Sequence, residues 1–358
     1  MNKKQLRQKA IIDLMQSLTG EQLLKTTEIA EQLDVSEMTI RRDLQELEAA
    51  GQIERQHGGV IIPQPDAPLP TLYRVGILLV SRDMKFSDPF FNEVIEGLDC
   101  KLHDLRCHIQ YIRTSADVET IEQSRLLLTT DPVDGIITIG VKRSASITYL
   151  QQNAPKLVTI IDSLGEKHDT ILFDGAGGIQ KIVDHLYRLG KRRLGFVTGY
   201  YDDREQGFID AIARLELDDD PALRVTITYD QPKGWSPVVG EEAAEKLLNL
   251  SHPPEAIVCA SDRLAIGVMQ RLHQYGLRVP DDIAVTGVDN ISDAAYTIPP
   301  LTTVHVHKKL IGALAAERLV RQMENPDEVP LQICAPTHLV IRESCGSQLN
   351  RGGQAGTT

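Results

Sequence analysis

From Val75 onward, short apolar runs alternate with longer helical patterns, and no other feature constrains the fold as much. The runs are "VGILLV", "CHIQYIR", "GIITIG", "LVTIID", "LGFVTG", "RVTITY", "AIVCA" and "IAVTGV". Strands this apolar need cover on both faces, and the intervening stretches are long enough to cross over a parallel sheet. The pattern predicts an α/β architecture with parallel sheets, and residues 74–343 suffice for two lobes of that kind. Residues 1–61 lack the alternation and read instead as three helices and a hairpin. Leu6, Ala10 and Leu14 share one helical face, and Ile29 and Leu33 share another. Between the two regions, Pro63, Pro65, Pro68 and Pro70 cannot sustain a helix, so residues 62–73 read as a semi-rigid linker.

The composition, 42% hydrophobic and 25% charged over 358 residues, is that of a soluble globular protein. No run of about 18 apolar residues is present to span a bilayer. The N-terminal stretch has charges but no uninterrupted apolar core, so we expect a cytoplasmic protein without membrane contact. Five scattered cysteines with no CxxC pair argue against a disulfide framework. A net charge of -12 disfavours a chain that coats polyanions everywhere, yet leaves room for one local contact face.

Such a face is visible in "VSEMTIRRDLQELEAAGQIERQHGGV". Ser36 is suited to cap a helix, because its hydroxyl can accept from a first-turn amide. Ile40, Leu44 and Leu47 then fall on one side, which turns Met38, Arg42 and Gln45 outward with Arg41 at the flank. A short helix and tight turn before this helix, and two short strands after it, describe a winged helix-turn-helix whose second helix enters the major groove. Arginine suits that place, since its planar fork can grip guanine or phosphate with two bonds. Eight basic against ten acidic residues in 1–60 make a head that is not basic overall. Specific binding would therefore lean on dimerisation and a few base contacts. The run "TTEIAEQLDVSEMTIRRDLQELEAAGQIERQHGGV" closely resembles the DNA-binding signature of the deoxyribonucleoside-repressor (DeoR) family. That resemblance implies DNA contacts by Ser36, Thr39, Arg41 and Arg42, with Arg55 and His57 in the wing near phosphate.

The remainder does not continue as that family usually does. Its fragments "SDPFFNEVIEGLD", "DGIITIG", "DREQGFIDAI", "ASDRLAIGVMQRLHQYGLRVPDDIAVTGVDN" and "IPPLTTVHV" resemble, in the right order, the sensor core of the lactose and galactose repressor family. That core shares its two-lobed fold with type I periplasmic sugar-binding proteins. In such sheets polar groups at strand carboxyl ends converge on a crevice. Asp88 with Phe90 and Phe91, Asp162, Arg204, Ser261 and Asp289 all follow apolar runs. Carboxylates accept from hydroxyl pairs, arginine donates to oxygens, and aromatic faces cover sugar C–H surface. The resemblance adds Trp235, the sole tryptophan, as an aromatic lid. It also implies three crossings between lobes, near 172, 300 and 331. The first lobe would then hold 74–172 and 301–330, the second 173–300 and 331–343, with a disordered tail over 344–358.

Three positions depart from the family's pattern: Asp88 and Ser261 stand where many relatives have Asn, and Val306 replaces a polar residue. The short minor-groove helix of the lactose-repressor family is replaced here by the proline-rich linker. The acidic lining favours a neutral sugar over a sugar phosphate.

Other constellations carry less. Cys100, His103, Cys107 and His108 span a helix end and a strand start and do not make one tetrahedron. His305 and His307 read as crossover residues, and "DGAGGIQ" lacks dinucleotide-loop spacing and reads as close packing. We find no catalytic set, metal site or cofactor motif. The expectation is a sugar-responsive transcription regulator, a repressor, acting as a homodimer on a partly palindromic operator. The rivals are a DNA-tethered carbohydrate- or nucleotide-acting enzyme, which would turn over its ligand, and a plain binding protein, which would be secreted.

Overall fold

The computed structural model describes residues 3–16, 25–49, 53–56, 59–61, 73–80, 87–161, 165, 167–200, 202–227 and 235–347. They divide between two compact units, Met1–Pro70 and Thr71–Thr358. The expected linker falls at 62–72, outside the described residues, and Tyr73 already begins a strand.

The smaller unit contains α1 (Lys3–Gln16), α2 (Thr26–Gln32), α3 (Glu37–Ala49), β1 (Glu54–Gln56) and β2 (Gly59–Ile61), the two strands pairing antiparallel. Ile40, Leu44 and Leu47 of α3 are buried against Ile11, Ile29, Ala30 and Ile53. The apolar face read for α1 needs correction, because Leu6 is 54% exposed and Ile11 supplies the buried contact. Polar pairs orient the helix. Arg7 forms an ion pair with Asp43, itself 1% exposed, while Lys4 and Gln8 bond Glu46 at 2.6 and 2.8 Å.

The larger unit begins with β3 (Tyr73–Leu79), α4 (Pro89–Asp104), β4 (Cys107–Thr114), α5 (Ile121–Thr130), β5 (Gly135–Ile139), α6 (Ala145–Asn153), β6 (Leu157–Ile160) and β7 (Asp169–Phe173). The chain then enters a second lobe through α7 (Gly175–Arg188), β8 (Leu194–Thr198), α8 (Asp203–Arg214), β9 (Arg224–Thr226), α9 (Pro237–Leu248), β10 (Ala256–Cys259), α10 (Asp262–Gln274), β11 (Ala284–Asp289) and β12 (Thr302–Val306). Helix α11 (Lys308–Glu324) returns to pack on α4, β13 (Gln332–Ala335) joins β7, and β14 (Thr337–Val340) pairs antiparallel with β12. The first sheet runs β13-β7-β6-β5-β3-β4, parallel throughout. The second runs β14-β12-β11-β10-β8-β9 and is parallel except for β14. Each of the eight apolar runs contributes one of these strands.

The crossings lie at Asp174, His307 and Pro336, later than 172, 300 and 331. Residues 301–330 are thus not wholly in the first lobe, because β12 pairs with β11, and 331–343 are not wholly in the second, because β13 pairs with β7. The tail boundary also moves. Ser344 and Cys345 are fully buried; the Ser344 hydroxyl accepts from Thr302 N at 2.8 Å and donates to Val285 O at 2.6 Å. Only residues 348–358 of the expected tail lie outside the described residues. The glycine run that opens α7 serves packing: a Cβ on Gly178 would sit 3.0 Å from the Val304 side chain of β12.

Candidate functional site

The carboxyl ends of both sheets face one another across a cleft of about 120 Å³. Three helices start at its wall, each with a short polar cap. Asp88 caps α4 by accepting from Phe90 N at 2.9 Å, Asp202 caps α8 by accepting from Arg204 N at 3.0 Å, and Ser261 caps α10 by accepting from Leu264 N at 3.3 Å. Asp88 has a second role, since its other oxygen accepts from Arg263 at 2.8 Å. That ion pair joins the first lobe to the second and is almost dry on the Asp88 side, 4% exposed.

Arg204 is buried in the second lobe. Its Nε donates to Asp202 at 3.0 and 3.1 Å, one Nη also pairs with Asp202, and the other donates to Ala260 O at 2.8 Å. Three of its five N–H groups are thereby used, and two have no bond among the described residues. The guanidinium lies 4.3 Å from the Trp235 ring centre and 5.8 Å from that of Phe173, a cation held between aromatic faces. Phe90 packs edge-on against Phe91 at 5.5 Å and tilts toward Phe173 at 6.2 Å, which builds an apolar wall opposite the polar groups.

Asp289 ends β11 at the cleft floor, and among the described residues no hydrogen bond reaches its carboxylate. Burial, then the nearby Asp262, hold its proton affinity well above the ordinary carboxylate range, against the pull of Arg204 and Lys308. Asp262 lies behind it, fully buried, accepting from the Thr303 hydroxyl and from Ile291 N. Burial pushes Asp262 up to about 7 despite those bonds.

Of the eight residues expected at the site, Asp88, Phe90, Phe91, Arg204, Trp235, Ser261 and Asp289 line this cleft, and Asp162 lies outside the described residues. Asp88 and Ser261 also serve as helix caps, a role the sequence reading did not assign to them. Lys142, Phe173, Tyr200, Asp202 and Arg263 also line it and were not singled out. Arg263 stood within a quoted motif, and Asp202 directly precedes one. Lys142, which sits 3.8 Å over the Tyr200 ring from the opposite lobe, carried no local signal.

In the smaller unit, Ser36 caps α3: Thr39 N donates to its hydroxyl at 3.3 Å, and the two hydroxyls lie 2.8 Å apart. Met38 is 81% exposed, Arg41, Arg42 and Gln45 are exposed, and Thr39 is half-buried. Arg41 pairs with Glu37 at 3.5 Å, whereas Asp43 and Glu46 form ion pairs with Arg7 and Lys4 of α1. Arg55 belongs to β1, opposite Val60, and His57 lies outside the described residues. Cys100 and His103 are exposed on α4, and among the described residues no group of side chains is arranged to hold a metal ion.

Comparison with known proteins gives matches over both units. Residues 7–66 match the model of the DeoR-like helix-turn-helix domain, and residues 183–345 that of the periplasmic binding protein-like domain. The HTH-type transcriptional repressor CytR of Escherichia coli K12 is 30% identical over 261 residues, covering 69% of this chain and 72% of that protein. The HTH-type transcriptional repressor MelR of Bacillus subtilis is 26% identical over 339 residues, 92% of this chain and 90% of that one. Among solved structures, the transcriptional regulator CelR in complex with cellobiose superposes with a TM-score of 0.69 at 23% identity, over 87% of this chain and 91% of that chain.

Proposed function

The chain belongs to the LacI family of transcriptional repressors, and on that premise we propose that a neutral sugar or related polyol, bound between the two lobes, controls its grip on operator DNA. The observation that carries the reading is the cleft itself. It joins Arg204 and Asp289, whose polar groups are not all bonded among the described residues, and an aromatic wall, contributed by both lobes. This combination fits hydroxyls on one side and C–H surface on the other. A ligand that bridges the lobes binds one lobe angle more tightly than another and shifts the population accordingly.

The DNA-reading head is of DeoR type. Met38, Arg41, Arg42 and Gln45 form the outward face of α3, Ser36 and Thr39 sit at its start, and Arg55 and His57 are the candidates for phosphate contact. The protein works in the cytoplasm as a homodimer, its two heads reading the two halves of a partly palindromic operator. No helix among the described residues is long and apolar enough to cross a membrane. The test is fluorescence anisotropy of labelled DNA from the region upstream of the gene, titrated with protein and then with a panel of neutral sugars and sugar phosphates. Release by one neutral sugar is the expected result. Specific binding that no sugar perturbs would remove the effector assignment and leave the head intact.

A further inference from the structure

We infer that Lys308 is a positioning residue that couples the effector cleft to the angle between the lobes, and this rests on the reading of the cleft given above. Lys308 is the first residue of α11, immediately after the crossing at His307, and its side chain is fully buried. A buried ammonium is costly unless every donor finds an acceptor. Here the ammonium donates to Asp289 O at 2.6 Å and to Asn290 O at 3.1 Å, and the Glu93 carboxylate pairs with its charge at 3.3 Å.

The three acceptors belong to different bodies. Asp289 and Asn290 close β11 of the second lobe, whereas Glu93 lies on α4 of the first, one turn after Phe90 and Phe91 of the cleft wall. Lys308 itself rides on α11, which is packed tightly along α4. The ammonium therefore spans the hinge and moves with the first lobe while holding backbone of the second.

What it holds is strained. Asp289 has φ 113° and Asn290 φ 52°, two successive non-glycine residues in the left-handed half of the map. Such a conformation persists only where its surroundings impose it, and the two carbonyls it produces are the ones Lys308 grips. The same turn presents the Asp289 side chain to the cleft. A ligand that pulls on Asp289 thus pulls on Lys308 and, through Glu93, on α4; a contiguous bonded set of this kind is a physical route for coupling.

A simpler role, neutralising the buried Asp262 and Asp289, would not require Glu93, and this separates the two in experiment. Wild type, Lys308→Met and Glu93→Gln are compared as full-length proteins. The sole tryptophan, Trp235, lines the cleft. Its quenching by acrylamide without sugar reads how open the cleft is, and its emission reads binding of each sugar in a panel of D-ribose, D-glucose, D-galactose and cellobiose. Anisotropy of the upstream DNA reads release. Both variants should show greater quenching than wild type. Glu93→Gln should bind the active sugar with little change in affinity but lose about tenfold or more of that sugar's effect on DNA affinity. Wild-type quenching and wild-type release in Glu93→Gln would overturn the coupling role, even if Lys308→Met fails to fold. If no sugar acts on wild type, the effector reading falls, while the quenching comparison still decides whether Lys308 and Glu93 set the cleft.

Discussion

Arg42 and Arg204 carry the same guanidinium in opposite settings, one exposed on α3 and one 7% exposed beneath the aromatic wall. Their replacement should separate the two activities. Arg42→Ala should weaken operator binding by about 1–3 kcal/mol if it reads a base, with effector binding retained. Were it a phosphate contact instead, the loss would be uniform across DNA sequences and the salt slope would fall by about one. Arg204→Ala should keep operator binding and lose the sugar response in the same anisotropy assay; a normal response would place the ligand elsewhere. Asp262 allows a prediction in pH. It holds its proton up to about 7 in the folded chain, against about 4 when unfolded. Between those values the folded state binds the extra proton, so this group's contribution to stability falls as pH rises from about 4 to about 7. Asp262→Asn removes that fall together with the part of Asp289's raised proton affinity that Asp262 imposes, so the variant's melting temperature relative to wild type should climb over this window. Burial and nearby cations lower His305 to about 4, a dependence of opposite sign that cancels in the comparison because both proteins retain it. A difference that stays flat with pH would show that Asp262 does not titrate there.

At the scale of elements, the pairing of α4 with α11 is set by close approach. A Cβ on Gly312 would stand 2.1 Å from Val94 O, a backbone atom that cannot swing aside. Gly312→Ala should therefore destabilise the larger unit by roughly 1–3 kcal/mol, read as a lower urea midpoint, with operator binding by folded protein retained. The eight apolar strands were legible because each lies inside its sheet or is apolar enough to be read alone. The other strands of the larger unit are not among those apolar runs, for identifiable reasons. Strand β7, "DTILF", starts with Asp169, whose fully buried charge is met by Arg318 at 2.7 Å, so a polar residue interrupts the apolar pattern. Strand β12, "TTVHV", buries Thr302 and Thr303 through hydrogen bonds rather than apolar character. Strands β13 and β14 sit at sheet edges with exposed residues such as Cys334 and His338. The same hydrogen-bonded polarity of β12 explains why the crossings were placed too early. His338 then completes an imidazole group with His305 and His307, ring centres 4.8 to 5.3 Å apart, from strands far apart in the chain.

For the molecule as a whole, a head with net charge -2 over residues 1–60 cannot hold DNA by charge alone. In the proposed homodimer, two heads on one operator would supply the missing affinity through effective concentration. Sedimentation should accordingly give twice the monomer mass, and removing one operator half-site should weaken binding by about 10²-fold or more. A monomer with unchanged affinity for a single half-site would refute the symmetric arrangement. The sequence alone determined the division into a helical head and an α/β body, because local periodicity and proline placement are properties of neighbouring residues. It also determined the outward face of α3, since helix geometry follows from spacing. Six cleft residues were readable as well from the ends of the apolar runs, where a parallel sheet gathers its functional side chains, and Trp235 from the family resemblance. Only the tertiary structure decided that Asp88 is joined to Arg263, that β12 and β13 exchange lobes, and that Lys308 binds both lobes at once. Those contacts link residues 18 to 215 positions apart, and whether a charge is buried, paired or free depends on what the fold brings beside it.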